Sequence, residues 1–324
     1  MYVKPFVIGA LTYLPGFEKL IAARGTGGTD SARYCYGVWL KHLVMLWEGG
    51  MRSMPRTLAE LGPGDTLGVG LAAMLSGVDE YYALDVIEYA HRETNLRILD
   101  ELLALFRQRA PRPHKGWPDY DAHLDGGLFP SHILSPAVLE AALAPARIER
   151  IRNALAGGNP PSAGDVTISY KVPWSNERVI EKNSVDLILS HAVLQSVTDL
   201  SGTYAALYKW LKPGGSMSHQ IDYTSFRTAQ SWNGHWAYSD AVWRRIVGRR
   251  SFLINREPHS EHVRLMLEHG FAITREMKDY GHIGGIDRSQ LAARWAMLSD
   301  DDLSCRGAFV QARKPLSGET SAGP

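Results

Sequence analysis

Residues 57–66 decide the fold, and they read Thr57-Leu58-Ala59-Glu60-Leu61-Gly62-Pro63-Gly64-Asp65-Thr66. The first five residues form a short apolar run that is typical of a buried strand, and the Gly-Pro-Gly sequence ends it. A pattern with helical spacing follows from Leu67 to Leu75. Glycine has no Cβ, so a ligand can lie against the backbone of such a turn. The stretch predicts a strand, a glycine turn and a helix.

A second short apolar run, Tyr81 to Asp85, follows that helix and predicts another strand. A long helical pattern from Glu88 to Arg109 comes next. Two strands joined through a helix form a parallel βαβ unit, which places the loops after both strands at the same sheet edge.

The alternation of strands and helices resumes after an irregular region. Strand-like runs lie at 166–170, 184–190 and 216–222, with a helical pattern at 200–211. Two later runs, Phe271 to Glu276 and Gly307 to Ala312, are expected to pair antiparallel at a sheet edge. The sequence therefore predicts an α/β protein with a mostly parallel sheet.

Composition excludes several classes of function. The 35 Lys and Arg nearly balance the 34 Asp and Glu, so no long-range positive field would attract nucleic acid. The apolar run from Pro5 to Leu14 is too short to span a bilayer, which predicts a protein without a membrane partner. Only Cys35 and Cys305 are present, and no metal-ligand triad is apparent. These features favour a cytoplasmic protein without a metal site.

Asp85 strengthens the interpretation of the glycine turn as a ligand site. It ends the second strand, 25 positions after Glu60, where a carboxylate can accept hydrogen bonds from both hydroxyls of a ribose. Two simpler alternatives stay open from the residues alone: an ordinary tight turn, and a solvated acid at a strand end.

Four segments together resemble the class I, Rossmann-like S-adenosylmethionine-dependent methyltransferases. They are the glycine motif Glu60 to Gly64, the acid Asp85, the run Val185 to Leu194, and the turn Leu211-Lys212-Pro213-Gly214-Gly215. The resemblance covers about residues 57–222 in order, and 302–313 is similar to the closing strand of the same fold.

The resemblance implies a Rossmann-like, doubly wound, mostly parallel seven-stranded sheet with an antiparallel edge strand. We expect a methyltransferase domain over residues 56–314, with insertions near 88–165 and 223–258. An N-terminal helical extension or lid would occupy residues 1–55, and a disordered tail residues 315–324.

The resemblance also implies a cofactor site for S-adenosylmethionine. Glu60, Gly62 and Gly64, with Asp65 in the same turn, would line the methionine moiety, and Asp85 would bind ribose. Ser190 and His191 would lie where the fourth strand opens onto the methyl group. Many family members place an acid after strand three to bind adenine, but this chain has Tyr170-Lys171-Val172-Pro173-Trp174 there. The adenine contacts therefore stay open, with Val86, Lys171 and Val172 as candidates.

Two other functions remain as alternatives. An NAD(P)-dependent oxidoreductase would share the glycine turn and the ribose acid, but position 67 is Leu where the dinucleotide motif has its third glycine. A cofactor-binding scaffold without catalytic activity is the other alternative.

Methyl transfer mainly requires alignment of the acceptor and removal of its proton. His219, at the end of strand five, is the first candidate for a base or substrate anchor, and His191 is the second. A hydrogen-bonded structural histidine is an equally open interpretation of His219.

The acceptor is expected to be a small molecule methylated on oxygen or nitrogen, and a homodimer stays an open alternative. Trp232, His235 and Trp236 lie in an aromatic segment that would form a substrate lid or, alternatively, pack on itself. Asn255 and Arg256 would lie at the same opening, or Arg256 would form a stabilising ion pair.

Overall fold

A computed structural model describes residues 3–17, 28–113, 128–157, 165–174, 177–250, 253–281, 283–316 and 318 of the chain. It contains one seven-stranded sheet. The strands are β1 Thr57–Leu61, β2 Glu80–Leu84, β3 Thr167–Lys171, β4 Val185–His191, β5 Leu211–Asp222, β6 Ala272–Tyr280 and β7 Cys305–Arg313.

The strand order across the sheet is β3-β2-β1-β4-β5-β7-β6. Strands β1 to β5 are parallel, whereas β7 runs antiparallel to both β5 and β6. The predicted mostly parallel, seven-stranded Rossmann-like sheet is confirmed, and so is the antiparallel pair at its edge. The reversed strand β7 lies one position inside the edge, which β6 forms.

Helices cover both faces of this sheet. Within the described residues, they are α1 Lys4–Leu11, α2 Ala32–Glu48, α3 Gly68–Met74, α4 Arg92–Arg107, α5 Pro136–Ala142, α6 Pro145–Leu155, α7 Leu200–Trp210, α8 Asp240–Val247, α9 His259–Glu268 and α10 Asp300–Ser304. One core packs α2 to α6 against one face, and a second packs α7 and α9 against the other. The apolar strands are therefore buried on both sides, as parallel sheets require.

Local sequence explains where the observed elements differ from the predicted ones. The long helix expected from Glu88 begins only at Arg92. The helical pattern at 136–155 divides into α5 and α6 because Pro145 lacks an N–H and starts a new helix. Strand β5 begins at Leu211 and includes the Pro-Gly-Gly turn that the pattern placed before it.

Some predictions fall on residues outside the described ranges. These residues are 1–2 and 18–27 of the N-terminal extension, 114–127 and 158–164 of the first insertion, 251–252 of the second insertion, and 317 and 319–324 of the tail. Among the helices that the structure describes, none combines the length and apolar character needed to cross a membrane.

Candidate cofactor and acceptor site

A groove opens at the carboxyl ends of β1, β2 and β4, where open parallel sheets bind ligands. The predicted residues Gly62, Asp85 and Val86 line it. The remaining lining residues are Leu61, Leu84, Trp174, Val193, Ser196, Val197 and Thr198. Its walls are mainly apolar, and Asp85 supplies the carboxylate.

Asp85 connects the turns after β1 and β2. Its Oδ1 accepts the N–H of Val86 at 2.7 Å, and its Oδ2 lies 3.4 Å from the N of Gly64. Burial raises the pKa of this carboxyl, while the backbone N–H donors oppose that rise. A carboxylate fixed beside apolar walls suits a nucleoside, which presents a diol and a planar ring.

Glycine is required at two positions of the turn after β1. Gly62 has a φ of +63° and Gly64 a φ of +78°, a region that residues with a Cβ rarely adopt. A Cβ on Gly62 would also lie 2.6 Å from Cγ2 of Val193, across the groove. The turn therefore keeps its shape and its close approach to β4 only with glycine.

Trp174 lines the groove from the β3 side, and sequence reasoning did not select it. The backbone N–H of Trp174 donates to the carbonyl of Asp85 at 3.0 Å, which joins the segment after β3 to the residue predicted to bind ribose. Of the three adenine candidates, only Val86 lines the groove, whereas Lys171 contributes its carbonyl to Asp85 N. The sequence signal that could have selected Trp174 is its position as an aromatic residue just after the end of β3.

Glu60 points into the core rather than into the groove. It is 3% exposed, and its Oε2 accepts the hydroxyl of Tyr81 at 2.6 Å. Burial raises the pKa of Glu60 to about 7, although hydrogen bonds from Tyr81 and the Gly70 backbone oppose the rise. Its predicted contact with the methionine moiety stays a prediction, and the observed partners give it a structural role.

The N-terminal extension contacts the glycine turn through Thr29. The N–H of Asp65 donates to Thr29 Oγ1 at 2.8 Å, and the hydroxyl of Thr66 donates to the Thr29 carbonyl. The Asp65 amide is therefore already paired within the protein.

His191 ends β4 and belongs to a chain of polar side chains beneath α2. Its Nδ1 lies 3.3 Å from Nε2 of His42, whose Nδ1 lies 2.8 Å from Ser218 Oγ. The ring of Tyr34 packs edge-on against His191, with centroids 6.2 Å apart. His191 is partly exposed, and desolvation together with the positive charge of Lys41 lowers its pKa. The imidazole is therefore neutral at physiological pH.

His219 lies on the opposite face of the sheet and is fully buried. Its Nδ1 is 2.8 Å from Ser190 Oγ, and its Nε2 has no hydrogen-bond partner among the described residues. Burial lowers its pKa to about 3. Neither His191 nor His219 lines the groove. His191 projects from one face of the sheet and His219 from the other.

The aromatic segment after β5 forms a small core of its own. Trp236 is fully buried, packs with Trp295, and donates its Nε1–H to the Arg256 carbonyl at 2.9 Å. His235 is also buried and its ring packs at a tilt of 49° against Trp236, and Trp232 packs against Gly281. Trp236 finds its apolar and polar partners, Trp295 and the Arg256 carbonyl, inside the protein, as in the self-packed alternative, and the role of the segment as a substrate lid stays a prediction.

Asn255 and Arg256 brace loops instead of lining the groove. The Asn255 amide donates to the carbonyls of Leu194 and Val197 at 2.9 and 2.8 Å. Arg256 donates to Asp240 at 2.7 Å, so it forms the ion pair that was the alternative to substrate binding. Among the described side chains, no group of three or more His, Cys, Asp or Glu is arranged to hold a metal ion.

Comparisons with known proteins agree with the predicted class. Residues 163–218 match a family model described as a methyltransferase domain. No curated protein matches the chain at a significant level.

Several solved structures are similar in fold. Phosphoethanolamine N-methyltransferase 2 of Haemonchus contortus, in complex with S-adenosylmethionine, is 15% identical with a TM-score of 0.42, covering 86% of this chain and 53% of that one. A methyltransferase from Mesorhizobium loti is 14% identical with a TM-score of 0.41, covering 86% and 97%. One from Methanosarcina mazei is 12% identical with a TM-score of 0.44, covering 84% and 97%. The chain thus spans about half the length of the Haemonchus protein.

The observed strand order, the matched segment and the four sequence motifs point to one class. Residues 163–218 match a methyltransferase domain and the sheet has the predicted Rossmann-like strand order, and both agree with the predicted class I S-adenosylmethionine-dependent methyltransferases.

Proposed function

We propose that this protein transfers a methyl group from S-adenosylmethionine to an oxygen or nitrogen of a small-molecule acceptor. One observation carries the proposal: Asp85 lies in an apolar groove, within 3.4 Å of the glycine turn, at the sheet edge where β4 ends in His191.

The groove fits the adenosine part of the cofactor. Asp85 would accept the ribose hydroxyls, and the apolar side chains of Val86, Trp174 and Val193 would contact the adenine ring. The sulfonium supplies an activated methyl group when the cofactor is bound. The protein then has to align the acceptor with the methyl group, exclude water and remove the proton of the acceptor.

His191 suits the acceptor side better than His219 does. The His191 ring is partly exposed at the end of β4, whereas the His219 ring has no exposed surface. A neutral imidazole at this position can accept a hydrogen bond from an acceptor hydroxyl or amine. We therefore propose His191 as the base or hydrogen-bond acceptor and His219 as a structural residue.

The amides at the start of α3 favour this cofactor over a dinucleotide. A pyrophosphate binds free N–H groups at such a helix terminus. Here Asp65 N donates to Thr29 Oγ1 at 2.8 Å, Leu67 N to Asn95 Oδ1 at 2.9 Å, and Gly68 N to Thr66 Oγ1 at 3.1 Å. Protein groups already occupy these donors, as a cofactor without pyrophosphate permits.

Calorimetric titration tests the cofactor site. S-adenosylhomocysteine should bind the wild-type protein, NADH should not, and Asp85→Asn should weaken binding by about 1.5 to 3 kcal/mol through loss of charged hydrogen bonds. Asp222→Asn is the matched control, because Asp222 also ends a strand and accepts a nearby backbone N–H at 2.7 Å. Equal affinities for the folded wild-type and Asp85→Asn proteins would contradict the assignment.

Turnover requires a second experiment. The protein would be incubated with labelled S-adenosylmethionine and fractionated metabolites, and the labelled product identified by mass spectrometry. A labelled ether, ester or N-methyl product supports the proposal. A labelled product methylated only on carbon or sulfur would contradict the acceptor class.

A further inference from the structure

The side chains beneath α2 form a continuous hydrogen-bonded chain from β7 to the end of β4. Gln311 on β7 lies opposite Ser218 on β5, Ser218 contacts His42 on α2, and His42 contacts His191. Gln311, Ser218 and His42 are each at most 1% exposed. Because water does not reach these three groups, each must obtain its hydrogen bonds within the chain.

The backbone of α2 fixes the orientation of the Gln311 amide. In one orientation, Nε2 donates to the Met45 carbonyl at 3.0 Å, and Oε1 accepts the Leu46 N–H and the Ser218 hydroxyl, both at 3.1 Å. In the other orientation, the amide oxygen would face only acceptors and the amide nitrogen only donors. The first orientation is therefore the one that satisfies the amide.

This orientation sets the proton positions along the chain. Ser218 gives its single hydroxyl proton to Gln311, so its oxygen accepts the proton on His42 Nδ1. A neutral His42 then has a lone pair on Nε2, which accepts the proton on His191 Nδ1. His191 is left with an unprotonated Nε2.

We propose that this relay holds His191 in the Nδ1–H tautomer, so that Nε2 offers a lone pair to the methyl acceptor. His42 and Ser218 are then positioning residues, and the N-terminal extension completes the acceptor site by supplying His42. The functional part rests on the methyl transfer proposed above. It narrows the acceptor to a molecule whose nucleophilic oxygen or nitrogen carries a proton, such as a hydroxyl or a primary or secondary amine.

The proton balance of the step is simple. The acceptor oxygen or nitrogen forms a bond to the methyl carbon, the carbon–sulfur bond breaks, and the sulfonium becomes a neutral thioether. The acceptor's proton passes to His191 Nε2 and then to solvent. The opposite tautomer would present an N–H to the acceptor and could not take this proton.

Nitrogen-15 NMR of the histidine-labelled protein tests the relay without any turnover. The ring nitrogens of His42 and His191, assigned by loss of signals in His42→Gln and His191→Gln, should both report Nδ1–H and unprotonated Nε2. Nε2–H at either ring in the wild-type protein would overturn the relay.

Ser218→Ala tests the direction of control. Without the Ser218 oxygen, His42 Nδ1 loses its acceptor, so His42 should change to Nε2–H and His191 should follow. Ser190→Ala is the matched control on the other sheet face, where Ser190 pairs with His219, and it should keep His42 and His191 as Nδ1–H. Unchanged tautomers in Ser218→Ala would also overturn the relay.

Steady-state kinetics then test whether the relay contributes to methyl transfer. Ser218→Ala should lower kcat by about 10- to 100-fold on the identified acceptor, with S-adenosylhomocysteine affinity unchanged. Wild-type turnover in a variant whose tautomers have changed would overturn the functional part alone. If no acceptor is methylated, the proposed function fails, while the NMR result still decides the relay.

Discussion

Nδ1 of His219 and Oγ of Ser190 lie 2.8 Å apart across β5 and β4, in a region with no exposed surface on either residue. His262 lies near His219 and bonds Tyr204 at 2.8 Å, which places a second neutral imidazole under the same sheet face. Burial lowers the pKa of both rings to about 3. These imidazoles are packed as core residues.

We expect His219→Ala to reduce the free energy of unfolding by roughly 3 kcal/mol or more, because it leaves a cavity and an unpaired Ser190 hydroxyl. Turnover per folded molecule should stay close to the wild-type value. Urea denaturation and steady-state kinetics measure the two quantities. A fully stable variant with turnover lowered 100-fold would restore His219 as the catalytic candidate.

Glu60, whose pKa is raised, should make the free energy of unfolding fall as pH rises. The buried His219 and His262, whose pKa values are lowered, act in the opposite direction. The pKa of Glu60 is about 7 in the folded protein and lower when unfolded, so the folded state binds the extra proton. The stabilisation is complete below the unfolded pKa and is lost as pH rises through about 7. Urea denaturation from pH 4 to 8 should show this loss in the wild-type protein and not in Glu60→Gln. Parallel profiles for the two proteins would show that Glu60 is charged in the folded state.

The sheet and its glycine turn could be predicted because their signals are local. The run Thr57–Leu61, the turn glycines and Asp85 lie within one βαβ unit, whose geometry fixes which loops meet. His42 could not be placed in this way, since it lies 149 positions from His191 in the chain. The polar pair Lys41-His42 within the otherwise mainly apolar stretch from Tyr36 to Trp47 was the available hint.

The aromatic segment shows where composition is ambiguous. A lid and a small core both require large apolar side chains, and only the partners of Trp236 distinguish them. Those partners, Trp295 and the Arg256 carbonyl, come from other parts of the chain. Periodicity cannot report such contacts.

Trp174 should contribute to cofactor affinity through the adenine ring. We expect Trp174→Ala to weaken S-adenosylhomocysteine binding by about 1 kcal/mol, because an aromatic surface in the groove is lost. Trp174→Phe should recover most of the affinity, since it keeps a planar ring. Calorimetry of both variants, with circular dichroism as a check of folding, makes the comparison. Wild-type affinity in Trp174→Ala would remove Trp174 from the site.

Gly62 combines two constraints that can be separated by experiment. Its φ of +63° penalises any residue with a Cβ, and its approach to Val193 leaves no room for that atom. Gly157 has a similar φ of +72°, and no atom of the described residues lies within 4 Å of an added Cβ. Gly157→Ala therefore measures the conformational cost alone, which is about 1 kcal/mol.

We expect Gly62→Ala to cost more stability than Gly157→Ala and to weaken S-adenosylhomocysteine binding at least 10-fold, because Val193 must shift in the groove. Adding Val193→Ala to Gly62→Ala should recover part of both losses, since it removes the atom 2.6 Å from the new Cβ and leaves the φ cost in place. Thermal unfolding would measure stability, and calorimetry the affinity for S-adenosylhomocysteine. Both would be applied to the wild-type protein, Gly62→Ala, Gly157→Ala and the double variant Gly62→Ala with Val193→Ala. If Gly62→Ala behaves like Gly157→Ala and binds the cofactor normally, the turn is not part of the cofactor site.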